Sequence, residues 1–434
     1  MNGVILSAPT SGAGKTTVTL GLLRALAEDG HPVRAAKSGP DYIDPRFHEA
    51  ACGAPCVNLD AWAMAPDRLR ALAVGAGTLI VEGAMGLFDG APPDGRGATA
   101  DLARILRLPV VLVIDASGMG HTVAAIAEGL ARHDPRVRVA GVILNRVGSP
   151  RHESILRRAL AASGLPVLGA LPRAADLAQP SRHLGLVQAQ ERPDLDTFLS
   201  RAALLARAHI DIAALLAISQ TARPLPVATH PGTRPPAQVI AVAQDRAFAF
   251  AYPHFLADWR RAGAEVRTFS PLADDPVPAA DLIYLPGGYP ELHAPRLAAA
   301  TTFMHSLRIA SQIYDIYGEC GGYMLLGDTL TDADGTAHRM AGLLPLDTSF
   351  AARKLHLGYR HATAQRGPFP GAWAAHEFHY ATTLRAEGQP LFAATDAEGT
   401  ALPPQGLIRG RVSGSFLHLI DALPLADHGS RPAA

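Results

Sequence analysis

The sequence predicts two α/β domains, each built around a mainly parallel sheet. Short apolar runs alternate with segments of helical periodicity, this alternation restarts in the second half, and a proline-rich stretch separates the two series. The length of 434 residues also exceeds what a single hydrophobic core ordinarily supports. Runs that are apolar on both sides of the pleat and are linked by helices are typical of a parallel sheet covered on both faces.

The first series starts with a strand at "GVILSA" and a helix at "KTTVTLGLLRALAEDG", in which Gly30 and Pro32 end the helical spacing. Further strands are predicted at "VRAAK", "TLIVEG", "PVVLVIDAS", "VAGVILNRV" and "PVLGALP". Helices are predicted at "HTVAAIAEGLARH", at "HESILRRALAASG" and, closing this half, near "LDTFLSRAALLARAHIDIAALLA". The first domain is therefore expected to cover residues 1–221.

The linker is predicted at residues 222–237, because five prolines interrupt any regular pattern in "TARPLPVATHPGTRPP". The second domain, 238–434, restarts the alternation with strands at "QVIAVAQ", "AEVRTFS", "DLIYLPGG" and "SQIYDIYGECGG". A helix is predicted around "YPHFLADWRRAG". This half is expected to be a second α/β layer structure.

Composition and charge exclude several classes of partner. Lys and Arg number 39 together, as do Asp and Glu, so no excess charge attracts nucleic acid or an anionic membrane. No apolar run approaches the roughly 18 residues that span a bilayer, and the first residues lack a charged region followed by an apolar stretch. Three cysteines form too sparse and odd a set for a disulfide framework. We expect a soluble, cytoplasmic protein without nucleic-acid or membrane partners; assembly as a homodimer stays open.

A phosphate-binding loop is predicted at "APTSGAGKTT", which follows a predicted strand and opens a predicted helix. Lys15 would supply a point charge to ATP phosphates, and the Thr16 hydroxyl would face Mg²⁺. Pro9 occupies the first glycine position of the usual pattern, so the exact turn is uncertain. The residues that surround the phosphates, Gly12, Gly14, Lys15 and Thr16, are present. Asn145, at the end of "VILNRV", offers a donor and an acceptor for the adenine edge, with a cap or turn as the alternative. The predicted ATP-binding residues are Gly12, Ala13, Gly14, Lys15, Thr16, Thr17 and Asn145.

Acidic residues follow two further strands of the first half. Asp41 and Asp44 lie in "KSGPDYIDP", directly after a strand, where they could hold Mg²⁺ or orient a substrate. Lys37 in the same segment could neutralise anionic oxygen. Glu82 ends the third predicted strand and could complete the Mg²⁺ shell, and Asp89 lies a short loop further on. The alternative for each carboxylate is an exposed strand end, but their shared edge favours a site.

The second half contains the pattern of a nucleophile elbow at "GECGG". Small neighbours permit a strained turn between strand and helix, which would lift Cys320 toward solvent at a helix N-terminus. That position is expected to lower the cysteine pKa and favour the nucleophilic thiolate. The Gly321 amide and a glycine amide of "PGG", assigned to Gly288, would stabilise an oxyanion.

The base for this nucleophile is predicted to be His418, in "SGSFLHLI", with a structural histidine as the alternative. His376 and His379 in "HEFHY" compete for the role. Their spacing differs from H-E-x-x-H, so no metal is predicted there. Cys52 and Cys56 form one isolated pair, which makes a zinc site unexpected.

An ATP site and a glutaminase-like thiolate have one joint explanation. The thiolate would attack the glutamine side-chain amide and release ammonia, while ATP would convert a carboxylate into an acyl phosphate that ammonia attacks. The sequence therefore predicts an ATP-dependent, glutamine-hydrolysing carbon–nitrogen ligase.

The chain resembles cobyrinic and hydrogenobyrinic acid a,c-diamide synthases along nearly its whole length. The resemblance rests on "APTSGAGKTT", "KSGPDYIDP", "VEGAMGLFDG", "LNRV", "PGGYPE", "GECGGYM" and "HEFHY", in that order. "KSGPDYIDP" is the specific part, since related cobyric acid synthases share the phosphate loop and "GECGG". The family consists of glutamine amidotransferases of cobalamin biosynthesis, with a dethiobiotin-synthetase-like N-terminal domain and a class I-like glutaminase domain.

This resemblance implies sequential ATP-driven amidation of the a and c carboxylates of a corrinoid acid. It implies that Thr16, Asp41 and Glu82 form the metal site and that Cys320 and His418 are nucleophile and base. Lys37, Tyr42, Asp44 and Asp89 are implied on the side of the corrinoid and acyl phosphate. One departure from class I glutaminases is that no glutamate stands two residues after His418. A Cys–His dyad, slower or activated only when the synthetase site is filled, is therefore expected.

Two alternatives remain at this stage. A regulatory P-loop ATPase would carry a lysine early in its loop, where this chain has Thr10, and would leave "GECGG" unexplained. An amidotransferase for another tetrapyrrole, such as nickel sirohydrochlorin, or one with cobyric acid synthase activity, is not distinguished by sequence. A cobalt-containing or a metal-free corrinoid is equally open.

Overall fold

The computed structural model describes residues 2–174, 181–182, 185–186, 188–223 and 228–424. The chain divides into two compact units, Met1–His230 and Pro231–Ala434. The division falls within the segment 222–237, where the prolines lie.

The first unit contains a seven-stranded parallel sheet. Its strands are β1 (Asn2–Ser7), β2 (Val33–Ser38), β3 (Val57–Leu59), β4 (Thr78–Glu82), β5 (Val110–Asp115), β6 (Val139–Val147) and β7 (Val167–Pro172). They lie in the order β3-β2-β4-β1-β5-β6-β7. Two short strands, β8 (Ser181–Arg182) and β9 (Gly185–Leu186), pair separately.

Eight helices surround this sheet in the described part of the unit. They are α1 (Lys15–Glu28), α2 (Asp44–Cys52), α3 (Pro66–Ala73), α4 (Thr99–Leu106), α5 (Thr122–His133), α6 (Pro150–Ala161), α7 (Leu195–His209) and α8 (Ile212–Gln220). Helix α1 packs against α2 and α7, whereas α5 packs against α6. The central strands β1 and β4 are buried along almost their whole length, as the continuous apolar runs predicted.

The alternation predicted for this half is confirmed, but α2, α3 and α4 were not predicted individually, and two further differences concern a strand and the last helix. The sequence did not predict β3, whose three residues are too few to show a pattern. The closing helical segment is two helices rather than one, because the Asp211 side chain accepts a hydrogen bond from the Ala214 amide at 2.9 Å and so caps α8. Aspartate favours such a cap over a helix interior.

The second unit also has a mainly parallel sheet. The strands before the elbow are β10 (Val239–Ala243), β11 (Glu265–Phe269), β12 (Leu282–Leu285) and β13 (Asp315–Glu319). These four strands are joined by β21 (Leu407–Arg409) and β22 (Val412–Ser415). The strand order is β11-β10-β12-β13-β22-β21, with only β21 antiparallel. The helices are α9 (Pro253–Arg261), α10 (Ala294–Ala299), α11 (Thr301–Ala310) and α12 (Gly321–Leu326). The prediction of two α/β units is thereby confirmed.

The chain after α12 is rich in strands that the sequence did not predict. These are β14 (Thr329–Thr331), β15 (Ala337–Arg339), β16 (Leu346–Ser349), β17 (His356–Ala364), β18 (Gly371–His379), β19 (Thr382–Ala386), β20 (Ala393–Asp396), β21 (Leu407–Arg409), β22 (Val412–Ser415) and β23 (Leu417–Ala422). Strands β21 and β22 belong to the parallel sheet described above. Four of the others form a sheet in the order β15-β14-β16-β19, and the remaining four form a sheet that is antiparallel throughout, in the order β20-β17-β18-β23. The second of these sheets places the histidines of β18 beside β23.

Among the described residues, no helix combines the length and apolar character needed to cross a membrane.

Candidate active sites

The phosphate loop has the geometry that its glycines predict. Gly12 and Gly14 have φ angles of 77° and 87°, and α1 begins at the next residue, Lys15. A Cβ on Gly14 would lie 2.2 Å from Nδ2 of Asn145, so no larger residue fits. Asn145 Nδ2 donates to the Ala13 carbonyl at 2.9 Å. Asn145 therefore braces the loop, and its contact with adenine stays a prediction.

Two side chains of the loop point toward β4 and the residues that follow it. Lys15 Nζ donates to the Met85 carbonyl at 2.5 Å, and burial lowers the pKa of Lys15. The Thr16 hydroxyl donates to Oε1 of Glu82 at 2.6 Å. Hydroxyl and carboxylate oxygens are the hard ligands that Mg²⁺ takes, so Thr16 and Glu82 fit the predicted metal site.

A buried cluster of charges surrounds Lys37. Its Nζ lies 2.5 Å from Asp44 Oδ2 and 2.8 Å from Glu82 Oε1. Asp41 is further away, with its Oδ2 3.9 Å from the same nitrogen. Burial lowers the pKa of Lys37, but the Asp44 and Glu82 carboxylates raise it more, so that it ends well above its usual value. The ammonium therefore stays charged.

The carboxylates of this cluster differ in their protonation. Burial and the charge of Asp41 raise the pKa of Asp44 to about 7. Burial also raises the pKa of Glu82, but the Lys37 ammonium and a hydrogen bond from His48 hold it well below its ordinary value. Lys37 thus pairs with both Asp44 and Glu82 inside the protein, and the predicted contact of Lys37 and Asp44 with a substrate stays a prediction.

His48 is a member of this cluster that the sequence analysis did not identify. Its Nε2 lies 2.6 Å from Glu82 Oε2, and its Nδ1 lies 3.6 Å from the sulfur of Cys56. A usable signal existed, since His48 stands one helical turn after Asp44 on α2. Cys52, Cys56 and Cys320 are all free thiols.

The other two predicted substrate residues are Asp89, in the loop after β4, and Tyr42, between β2 and α2. Asp89 Oδ2 accepts a hydrogen bond from the Gly86 amide at 2.9 Å, which holds the loop after β4. The preceding residue, Met85, has a left-handed backbone with φ of 49°. Tyr42 is half-buried. Their substrate roles stay predictions.

The strained elbow predicted at Cys320 is present between β13 and α12. Cys320 has a φ angle of 46°, and its amide donates to the Ser415 carbonyl at 2.8 Å. A Cβ on Gly322 would lie 1.9 Å from the Leu285 carbonyl oxygen, and one on Gly318 would lie 2.6 Å from Gly322. Small neighbours are therefore required, as the motif indicates.

The exposure and ionisation expected for this thiol are wrong. Cys320 is only 4% exposed. Burial and the nearby Glu291 carboxylate raise the pKa of Cys320 well above its ordinary value, although a hydrogen bond from the Gly321 amide acts in the opposite direction. The packing around the short α12 outweighs the effect of the helix N-terminus. The resting sulfur is thus a thiol.

The glycine loop after β12 lies against both the elbow and the predicted base. A Cβ on Gly321 would come within 3.0 Å of the Gly288 amide nitrogen. A Cβ on Gly287 would come within 2.3 Å of Cε1 of His418. The structure therefore brings the predicted oxyanion donors, Gly288 and Gly321, into one neighbourhood with His418.

His418 is buried on β23 and faces His376 of β18 across the sheet. Burial, together with the positive charge that His376 and His379 can carry, lowers the pKa of His418 to about 3. The imidazole is therefore neutral and able to accept a proton. His376 and His379, which competed for the role of base, lie beside it instead.

The residues of "HEFHY" also form a group with His356 of β17. In the described chain, His356, Glu377 and His379 are the one group of three or more His, Cys, Asp or Glu side chains whose ligating atoms all lie within 4.8 Å of one another. The His356 and His379 rings stack with only 8° between their planes. A metal ion must lie in the plane of each imidazole that binds it. The planes of two stacked, nearly parallel rings do not meet near the rings, so one ion cannot bind both. Arg360 also pairs with Glu377 at 2.8 Å, so we assign no metal here.

A buried carboxylate beside His418 was not identified from sequence. Glu319, the last residue of β13, has its Oε2 3.7 Å from Nδ1 of His418. The prediction of a Cys–His dyad considered only a glutamate two residues after the histidine, and it stays a prediction. The available signal was the glutamate directly before the cysteine in "GECGG".

These two sites define a glutamine amidotransferase joined to a nucleotide-binding domain. Residues 4–187 match the CobQ/CobB/MinD/ParA nucleotide binding domain, and residues 239–422 match the CobB/CobQ-like glutamine amidotransferase domain. The enzyme class predicted from the sequence, an ATP-dependent amidotransferase, is confirmed.

The chain belongs to the hydrogenobyrinate a,c-diamide synthase family. It is 54% identical to the hydrogenobyrinate a,c-diamide synthase of Brucella abortus biovar 1, over 97% of this chain and 99% of the relative. The synthase of Rhizobium meliloti is also 54% identical, with the same shares covered. That of Rhodobacter capsulatus is 53% identical over 96% of this chain and 98% of the relative. The family predicted from the motifs is thereby confirmed.

Proposed function

We propose that the protein amidates the a and c carboxylates of hydrogenobyrinic acid, using glutamine as the nitrogen source and ATP as the energy source. The observation that carries this proposal is the match along nearly the whole chain to synthases of that name. The cysteine elbow and its histidine disfavour a regulatory P-loop ATPase. Hydrogenobyrinic acid is preferred to cobalt-containing cobyrinic acid because of the relatives' names.

Glutamine hydrolysis would begin with the neutral pair described above. His418 takes the proton from the Cys320 thiol as the sulfur attacks the glutamine carboxamide carbon. The Gly321 and Gly288 amides receive the negative charge of the tetrahedral oxyanion. His418 then gives its proton to the leaving nitrogen, ammonia departs, and water hydrolyses the thioester to glutamate.

Amide synthesis would use the first unit. An oxygen of the substrate carboxylate attacks the γ-phosphorus of ATP, ADP leaves, and an acyl phosphate forms. Lys15 and the amides of Gly12, Ala13 and Gly14 hold the phosphates, with Thr17 following them at the start of α1. Thr16, Asp41 and Glu82 would hold Mg²⁺, which supplies charge stabilisation for the phosphates. Ammonia then attacks the acyl carbon and phosphate leaves.

The division of labour follows the domains proposed from sequence. Residues 1–221 are assigned to the synthetase, 222–237 to the linker and 238–434 to the glutaminase. Lys37, Tyr42, Asp44 and Asp89 are assigned to the side where the corrinoid and acyl phosphate bind. Asn145 is assigned to adenine, and a cytoplasmic location is proposed.

The test is turnover of the purified protein with hydrogenobyrinic acid, glutamine and MgATP, followed by mass spectrometry of the product. Conversion of two carboxyl groups into carboxamides is expected. Parallel reactions with cobyrinic acid and nickel sirohydrochlorin test the choice of substrate, and omission of ATP or glutamine provides the controls. Faster turnover of either alternative, or addition of only one amide, would contradict the proposal.

A further inference from the structure

Glu319 and Cys320 are consecutive residues, yet Glu319 faces a different partner. Successive side chains of a strand point to opposite faces of its sheet, and β13 ends at Glu319. Its Oε2 lies 3.7 Å from Nδ1 of His418, on the strand β23. The residue before the nucleophile is therefore next to the proposed base.

The Glu319 carboxylate is held in place by two further contacts. The Tyr284 hydroxyl donates to its Oε2 at 2.9 Å, and the Leu419 amide donates to its Oε1 at 3.3 Å. Leu419 directly follows His418, so the second contact also ties the carboxylate to the backbone of the histidine. All these side chains are buried. In such surroundings a charge on one group strongly affects its neighbour.

We propose that Glu319 is the positioning residue of the glutaminase site, in the place of the glutamate that class I enzymes carry after their histidine. It keeps the proton of His418 on Nδ1, which leaves Nε2 to accept the Cys320 proton, and its charge offsets the imidazolium that results. A separation of 3.7 Å is longer than a hydrogen bond, and the charged imidazole draws the carboxylate closer. This inference rests on the proposed roles of Cys320 and His418.

Several titratable groups surround the pair and bear on its response to pH. Glu319 is faced by Tyr284 of β12, Tyr317 of its own strand, Cys320 and His418, and His418 is faced by His376, Glu377 and His379 of β18. Burial raises the pKa of Glu319 to about 8. Because the ionised carboxylate is the form that offsets an imidazolium, glutamine hydrolysis is expected to rise with pH through this range.

The test compares Glu319→Gln and Glu319→Asp with the parent protein, by kcat and KM for glutamine, by the pH profile, and by synthesis from free ammonia. For Glu319→Gln we expect a fall in glutamine-dependent kcat of about 100-fold, with little change in KM. The rise of activity near pH 8 is expected to disappear, because no carboxylate titrates there. Glu319→Asp should keep a pH-dependent rise at a lower kcat. Synthesis from ammonia should be unchanged in both.

Tyr284→Phe provides a second test, because it changes the surroundings of Glu319 and leaves His418 itself unchanged. The tyrosine hydrogen bond lowers the pKa of Glu319, so its removal should shift the rise in activity to higher pH. If Glu319→Gln fails to fold, as thermal unfolding would reveal, then Glu319→Asp and Tyr284→Phe carry the test. The inference is overturned if Glu319→Gln keeps the parent kcat and pH profile, or if neither folded variant alters the profile. Retention of glutamine use in Cys320→Ala would instead overturn the proposed glutaminase role.

Discussion

Lys37 Nζ lies 2.8 Å from Oε1 of Glu82, and the same oxygen accepts a hydrogen bond from the Thr16 hydroxyl. The Glu82 carboxylate, at the end of β4, thus links a buried lysine of β2 to the first turn of α1. Because Thr16 and Glu82 are also the proposed ligands of Mg²⁺, this ammonium neutralises the carboxylate when the ion is not bound. The strength of ion binding and the stability of the first unit should therefore depend on the same residue.

Replacing Lys37 by Met should destabilise the first unit by about 3 kcal/mol, because it leaves buried carboxylates without a cation. Mg²⁺ should then raise the melting temperature of the variant more than that of the parent protein. Thermal unfolding with and without Mg²⁺ measures both effects. Arg136→Met is a matched control, since Arg136 is 74% exposed and solvent screens its pairing with Asp134, so its loss should change the stability little. Equal melting temperatures for the two variants would contradict the prediction.

Lys15→Ala should abolish amide synthesis with either glutamine or free ammonia, because ATP would lose the charge that holds its phosphates. Glutamine hydrolysis measured without ATP should equal that of the parent protein without ATP, since Cys320 and His418 belong to the other unit. The measurement is product formation with each nitrogen source, beside glutamate release. Normal turnover in this variant would remove the assignment of ATP to the loop.

Cys320→Ala should abolish the use of glutamine and spare synthesis from a high concentration of ammonia. The reason is that only the thioester step requires the sulfur. The same pair of assays distinguishes this variant from Lys15→Ala. Loss of both activities in a folded Cys320→Ala protein would mean that the cysteine does more than release ammonia.

The burial of Cys320 leads to a prediction about its reactivity. Since burial and Glu291 raise its pKa, alkylation of Cys320 by iodoacetamide at neutral pH should be slower than alkylation of a solvent-exposed cysteine with an ordinary pKa. The rate should keep rising with pH above 9, where an activated thiolate would already have reached a plateau. Mass spectrometry of the peptide containing Cys320 measures this rate separately from those of Cys52 and Cys56. Rapid labelling at pH 7, independent of pH, would show that the thiol is ionised at rest.

The parts of the sites that could be predicted from sequence are those fixed by neighbouring residues. The left-handed glycines of the phosphate loop and the crowded turn at Cys320 follow from spacing alone, because each is a steric requirement within a few residues. His48 and Glu319 act through residues on other strands or helices, and their contacts exist only once those elements pair. The raised pKa of the thiol was likewise not predictable, since it depends on burial in the fold and on side chains distant in sequence such as Glu291.

Gly14→Ala should weaken ATP binding at least tenfold, because the position has a φ of 87° and an added Cβ would lie 2.2 Å from Nδ2 of Asn145. The left-handed backbone alone costs a residue with a side chain about 1 to 2 kcal/mol. Gly129→Ala is the matched control in the same unit: it lies on α5, nothing is within 4 Å of the added Cβ, and alanine should stabilise the helix slightly. Combining Gly14→Ala with Asn145→Ala removes the clash but keeps the backbone strain, so ATP affinity should recover only in part relative to Asn145→Ala alone, which measures the loss of the proposed adenine contact. Titration of ATP binding by calorimetry measures all four variants, and full recovery in the double variant would show that the clash, not the turn, limits this position.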